Sequence, residues 1–124
     1  MSEKTILYVE DNEFNRKIVR QLLAQTKYRL REAVDGESGV KTAQEEPPDL
    51  ILMDVQLPKM SGLDATRQLR ADPRTAAVPI IVITSYALSG DAEKATDAGA
   101  TAYLAKPYSP RELLAKIREI VPEG

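Results

Sequence analysis

The sequence predicts an α/β domain, with five strands in one parallel sheet, a helix after each strand, and helices on both faces. Three observations lead there. Short apolar runs alternate five times with longer stretches of helical period, and no repeat, linker or low-complexity tract interrupts them. The runs end in reactive residues: Glu10 and Asp11 after 6–9, Asp54 after 50–53, Thr84 after 79–83, Lys106 after 102–105. The second run carries charges and the fifth is thin, which puts both at sheet edges. Right-handed crossovers put helices on both faces of a parallel sheet, and polar second and fifth strands fit the order 2-1-3-4-5, the flavodoxin-like (βα)5 topology. There strands one and three flank the switch point, where open α/β sheets hold their ligands.

Each element has a local reason. Residues 5–9 read as a buried strand, aliphatic and ended by charge. Residues 14–25 read as a helix. Phe14, Ile18 and Leu22 form one apolar row and Val19 and Leu23 its neighbour, with Arg16, Lys17, Arg20 and Gln21 on the solvent side. Asp11 or Asn12 is its expected cap. Residues 29–34 are a weaker strand, whose Arg29, Arg31 and Glu32 suit an edge. Asp35-Gly36 turns the chain into a helix over 37–46, stopped by Pro47-Pro48. Residues 50–53 are the most apolar run and the expected central strand. A loop bracketed by Leu57-Pro58 and Ser61-Gly62 leads to a helix over 63–71, with Asp72-Pro73 as its stop. Residues 79–83 are another buried strand. A short helix over 90–98 follows, with Gly99 as its C-terminal cap, and then the second edge strand over 101–105. Ser109-Pro110 is a cap followed by proline at the first helical position. The last helix, 111–121, carries Leu113, Leu114, Ile117 and Ile120 on one stripe.

Composition narrows the function. The 124 residues suit one domain, and a net charge of −2 gives no electrostatic case for nucleic acid or an anionic membrane. Cysteine is absent, which removes disulfides and thiolate chemistry. Histidine is absent too, so there is no imidazole base, no imidazole ligand and no phosphohistidine; any phosphate must be accepted on another side chain. No run approaches the ~20 apolar residues of a membrane span, and residues 1–5 lack a signal-peptide pattern. A cytoplasmic protein is expected. A start just before the first strand and an end just after the last helix lead to the expectation of one domain over 1–124 with no effector domain.

The strand-end residues converge on one edge of the predicted sheet. Magnesium takes one or two carboxylates together with water and phosphate oxygens. Asp11 and Asp54 supply carboxylates, and the backbone carbonyl of Gln56 a third oxygen. Clustered carboxylates repel one another unless a cation intervenes, and a metal or Lys106 provides one. A carboxylate also attacks phosphorus to give an acyl phosphate. Asp54 would be that nucleophile, with Lys106 pairing with phosphoryl oxygens and Thr84 donating its hydroxyl. Each position alone has a plainer explanation. Acids at strand ends favour the helices that begin there, a lone lysine is a solvated charge, and a lone threonine a turn residue. The conjunction at four strand ends gives the phosphate-and-metal reading its weight. An aspartyl-phosphate phosphatase would want a second acid in Asp54-Val55-Gln56. A flavin module of this topology would want a hydroxyl-rich cradle where Glu10-Asp11-Asn12-Glu13 stands. A scaffold that takes no phosphate would not need the full set.

These residues resemble a known family. Val9-Glu10-Asp11-Asn12, Asp49 to Asp54 with Leu57-Pro58 and Ser61-Gly62, Ile83-Thr84-Ser85, Ala98-Gly99-Ala100 and Lys106-Pro107 are similar, in order and spacing, to the receiver domain of bacterial two-component response regulators. Residues 9–16 and 51–58 are most similar to stand-alone receivers of the DivK cell-division type; receivers excised from hybrid histidine kinases or larger regulators are the alternative. The resemblance implies a phosphoacceptor switch and not an enzyme with its own substrate. Asp54 takes the phosphoryl group and Asp11 binds Mg2+, or Mn2+ in its place, with Glu10 helping through water. Gln56 contributes its carbonyl, Thr84 and Tyr103 act as switch residues, and Lys106 contacts the phosphoryl group next to a cis Lys106-Pro107 peptide. The implied partners are a sensor histidine kinase or histidine phosphotransferase, docking at Asn15, Ile18, Pro107 and Tyr108, and a downstream protein at the face of the fourth helix, fifth strand and fifth helix. The protein is expected as a monomer or weak homodimer.

Gln56 and Tyr86 match positions that flank the phosphoryl group and govern water access. Bulky Tyr86 is expected to slow phosphate loss, so Tyr86→Ala should dephosphorylate faster than wild type in a time course; an unchanged or slower course would remove that role.

Overall fold

Alternate residues of a strand face opposite sides of its sheet, and in the central strands of this chain both sides are apolar. The computed structural model describes residues 3–84 and 91–123. Its strands are β1 (Thr5–Val9), β2 (Arg29–Ala33), β3 (Leu50–Asp54), β4 (Ile80–Thr84) and β5 (Ala102–Ala105). Its helices are α1 (Glu13–Leu23), α2 (Gly36–Glu45), α3 (Gly62–Ala71), α4 (Asp91–Ala98) and α5 (Pro110–Ile120). The strands form one sheet in the order β2-β1-β3-β4-β5, every pairing parallel. Ile6, Tyr8, Leu50, Leu52, Ile81, Ile83 and Leu104 pack under α1 and α5 with Val19, Leu23, Leu113 and Ile117. Leu7, Val9, Ile51, Met53, Ile80 and Val82 pack on the other side, against residues that include Val40 of α2, Leu69 of α3 and Ala95 of α4. β3 and β4 are buried throughout, whereas β2 and β5 are edges, as their sequences imply.

The element ends follow local chemistry. Asn12, Asp35, Ser61 and Ser109 each cap a helix by accepting from a backbone N–H inside its first turn. Ser109 and Glu112 form a reciprocal capping box before α5. Gly99 takes a φ of 106° after α4, a left-handed conformation in which a side chain would be strained. Among the described residues no helix is long and apolar enough to cross a membrane.

One face differs from expectation. Phe14 is 68% exposed and Ile18 37% exposed, so their row does not enter the core with Leu22. The buried row is Asn15, Val19 and Leu23, one residue further on. Its first member is polar because it meets the carboxylate of Glu10 at the sheet end. Arg16 likewise leaves the solvent side. It donates to the Glu10 carbonyl oxygen at 2.9 Å, lies 3.3 Å from Glu32 and pairs with Glu13. Arg20 makes a two-pronged contact with Glu32 at 2.8 and 2.7 Å, so α1 is tied to the charged edge strand.

At the opposite end of the sheet Arg70 acts as a staple. From α3 it donates to the carbonyl oxygens of Gly99, Ala76 and Val78 at 2.7, 3.1 and 2.6 Å, and to Thr101 Oγ1 at 3.2 Å. A Cβ on Gly99 would fall 2.7 Å from Arg70 Cγ, so the guanidinium stem fills the space the glycine leaves. This ties together the loops that lead into β4 and β5. Bonds from a charged donor each contribute about 1.5–3 kcal/mol. Arg70→Leu is therefore expected to lower unfolding free energy by about 2–4 kcal/mol in a urea titration; a loss under about 0.5 kcal/mol would show that these carbonyls are satisfied by water.

Candidate functional site

Glu10 directly follows β1, Asp54 ends β3 and Lys106 directly follows β5, so a parallel sheet delivers all three to its C-terminal edge. The backbone continues one step past β5: Lys106 N–H donates to the Thr84 carbonyl oxygen at 2.7 Å, which sets the direction of the lysine. Lys106 Nζ then lies 2.8 Å from Asp54 Oδ2 and 3.5 Å from Glu10 Oε1. The two carboxylates are 3% and 1% exposed. At that depth a carboxylate needs a counter-charge or a full set of donors, and both are present. Asp54 Oδ1 accepts the Gln56 N–H at 3.0 Å. Glu10 Oε1 accepts from Asn15 Nδ2 at 3.0 Å and from the Tyr8 hydroxyl at 3.3 Å, and Oε2 lies 3.4 Å from the Asn12 N–H. Burial by itself would push the Lys106 ammonium down, but its hydrogen bond to Asp54 and the charges of Asp54 and Glu10 outweigh that and hold it above the ordinary lysine value. The lysine is thus a fixed cation.

The remaining expected residues have definite places. Asp11 is exposed on the loop between β1 and α1, and Gln56 is exposed just past β3. Thr84 is fully buried at the end of β4. Tyr103, half-buried on β5, packs against the core on the α2–α3–α4 side. The Lys106–Pro107 peptide is cis. Tyr86 and Ser85 lie outside the described residues. Among the described residues no group of three carboxylates is close enough to hold a metal ion, so the expected convergence of Glu10, Asp11 and Asp54 is incomplete. Glu10 accepts from Tyr8 and Asn15; the other oxygens of the expected set are those of Asp54, of Asp11, exposed after β1, and of the Gln56 backbone, exposed after β3. An all-oxygen set with few carboxylates suits a hard cation that keeps waters and phosphate oxygens in its shell.

Two further residues, Tyr8 and Arg16, build the site without an obvious sequence signal, and a third, Gly62, stands in a motif whose role there the sequence does not give. Tyr8 reads as a buried strand residue, and only the hydroxyl in an aliphatic run marks it. Arg16 reads as a surface charge. Gly62 reads as part of a loop, yet a Cβ there would lie 1.9 Å from the Asp54 carbonyl oxygen, because the start of α3 is folded back onto the end of β3 and Gly62 N–H donates to the Val55 carbonyl at 2.9 Å. Beside the acid cluster a cleft of about 550 Å³ opens between α1 and the loop before α5, lined by Asn15, Ile18, Lys106, Pro107, Tyr108 and Pro110. All four residues expected at the kinase-docking surface line it.

Comparison with known proteins agrees with this geometry. The profile of the response regulator receiver domain family matches residues 6–118. The polar-differentiation response regulator DivK of Brucella anthropi is 38% identical over 115 residues, covering 93% of this chain and 94% of its own length. Among solved structures, the receiver domain of the sensor histidine kinase PA1611 of Pseudomonas aeruginosa PAO1, which holds a magnesium ion in its active-site cleft, is 39% identical with a TM-score of 0.89, over 96% of this chain and 98% of that one. The chemotaxis response regulator CheY4 of Vibrio cholerae is 27% identical with a TM-score of 0.91, over 97% and 100%.

Gly62→Ala should displace the backbone that carries Asp54. A loss of about 3 kcal/mol in a chemical denaturation curve is expected, together with displaced NMR amide signals at 54–56; a wild-type curve and spectrum would mean that α3 can retreat without disturbing β3.

Proposed function

The chain belongs to the response regulator receiver domain family, and from that premise we propose that it is a switch in a two-component phosphorelay. Asp54 accepts a phosphoryl group from a phosphohistidine on a sensor kinase or histidine phosphotransferase, and the modified protein signals through altered protein contacts in the cytoplasm. The observation that carries this reading is the Lys106 ammonium set between two buried carboxylates, 2.8 Å from Asp54 and 3.5 Å from Glu10. A fixed cation beside one nucleophilic carboxylate is what transfer of an anionic group requires.

In the transfer, an oxygen of Asp54 forms a bond to phosphorus as the bond from phosphorus to the partner's imidazole nitrogen breaks, and the nitrogen keeps that electron pair. Magnesium, or manganese in its place, would be held by Asp11, Asp54 and the Gln56 carbonyl, and when bound supplies positive charge against the transferring oxygens. Gln56 N–H steadies Asp54 Oδ1. Lys106 gives up its contact with Asp54 Oδ2 in favour of a phosphoryl oxygen. The Thr84 hydroxyl turns toward the same group, and Tyr103 follows it on β5. The added charge and acceptors bias an existing conformational equilibrium. The face made by α4, β5 and α5 then meets the downstream protein. The cleft at Asn15, Ile18, Pro107 and Tyr108, with Phe14 exposed beside it, is the docking surface for the donor.

Incubation with acetyl phosphate and magnesium tests the reading by intact mass. A phosphate-sized gain is expected in wild type and absent in Asp54→Asn or with chelator; the same gain in Asp54→Asn would move the acceptor to another residue.

A further inference from the structure

Arg16 stands near the start of α1 with its side chain only 12% exposed. A guanidinium so far out of water must be paired, and each of its three nitrogens meets an acceptor from a different element. Nη1 donates to the Glu10 carbonyl oxygen, just past β1, at 2.9 Å. Nη2 pairs with Glu13 of α1, and Nε lies 3.3 Å from Glu32 of β2. Arg20 shares both carboxylates, 2.7 Å from Glu32 and 3.7 Å from Glu13. Two arginines and two glutamates thus alternate, and their formal charges cancel. The two ion pairs alone would hold the guanidinium at the surface. The third contact differs in kind, because the Glu10 carbonyl belongs to the peptide that leads into Asp11. On the near side of Glu10 its N–H donates to the Ala33 carbonyl oxygen at 3.0 Å. Asn12 is held as well: its carbonyl accepts the Arg16 N–H at 3.0 Å, and its side chain accepts the Asn15 N–H at 2.9 Å. Asp11 is therefore an exposed carboxylate on a stretch gripped on both sides, and Arg16 supplies one grip on each.

We infer that Arg16 is a positioning residue for Asp11: its guanidinium, braced by Glu13 and Glu32, holds the Glu10–Asp11 peptide and so pre-sets the carboxylate that meets a divalent cation. The consequence for the cation rests on the reading of Asp11 as a ligand, but the grip on the peptide does not. A carboxylate on a held backbone loses less freedom on binding than one on a loose loop. Charge alone acts the other way. An arginine near the site repels a cation, so its removal would tighten binding. The two effects have opposite signs, and a lysine separates them, because it keeps the charge but has a single nitrogen for three acceptors in three directions.

The test titrates magnesium chloride into wild type, Arg16→Lys, Arg16→Gln and Asp11→Asn, and follows the amide signals by NMR. Both Arg16 variants are expected to bind magnesium about three- to tenfold more weakly, the scale of one hydrogen bond, and to displace the Asp11 amide nitrogen signal before any metal is added. Wild-type affinity in Arg16→Lys, or tighter binding in Arg16→Gln, overturns the inference. A residue that only stabilised the fold would lower the urea midpoint and leave the affinity of the folded protein unchanged, and that result overturns it too. Should the Arg16 variants not fold, Glu32→Gln on the edge strand removes one brace. It is expected to displace the Asp11 amide signal and to weaken binding at high salt, where the loss of a distant charge is screened; an unmoved signal overturns the inference. Asp11→Asn separates the two layers. Wild-type magnesium affinity in that variant sinks the reading of Asp11 as a ligand and the role of Arg16 toward the metal, while the Asp11 amide signal in the Arg16 variants still decides whether the guanidinium holds the peptide.

Discussion

Two carboxylates almost wholly out of solvent, Glu10 and Asp54, are held beside one ammonium, and much of the molecule exists to keep them there. Their mutual repulsion is tolerable only because Lys106 sits between them and because each takes donors from its own loop. The lysine is placed by a single backbone hydrogen bond past the end of β5, the Asp54 carbonyl by the bare backbone of Gly62, and Glu10 by α1. Loss of any of these supports would leave a buried charge without its partner, the costliest kind of defect a small domain can carry.

The same constraint explains the unusual face of α1. An ordinary amphipathic helix would bury Phe14 and Ile18, but the sheet end beneath its first turn is a carboxylate and not an apolar surface. The chain answers with Asn15 and Arg16, one reaching the Glu10 carboxylate and the other its carbonyl. Phe14 and Ile18 are left outside, next to the cleft that also exposes one side of Lys106. A buried acid thus creates an exposed apolar surface beside itself. That adjacency is what the proposed transfer from a docked partner would use.

Rigidity is unevenly distributed. β3 and β4 are buried on both faces and set the position of Asp54 and Thr84. The Arg70 staple closes the N-terminal end of β4 and β5. At the other end of the sheet, among the described residues, the contacts around Asp54 and Glu10 are hydrogen bonds and ion pairs. A switch needs this division, because a change at the acid site can re-sort hydrogen bonds only where packing does not already decide the arrangement.

Strand order, element ends and the identities of Glu10, Asp54, Thr84 and Lys106 as strand-end residues were legible in the sequence, because alternation, charge at edges and capping chemistry are local properties. Asp35, Ser61 and Ser109 announce their helices, and Gly99 its stop, by residue type alone. What only the tertiary structure decided is which side chains meet across elements. Tyr8 looks like any buried strand residue until the Glu10 carboxylate is seen at its hydroxyl. Arg16 looks like a surface charge until the Glu10 carbonyl is found beneath it. Gly62 looks like loop filler until the Asp54 carbonyl occupies its Cβ position. Asp11 stands beside Glu10 in the chain yet is exposed where Glu10 is buried. The physical reason is common to all four. A residue's periodicity reports the face it turns to, but whether that face holds a methyl group, a carboxylate or open water is set by segments tens of residues away.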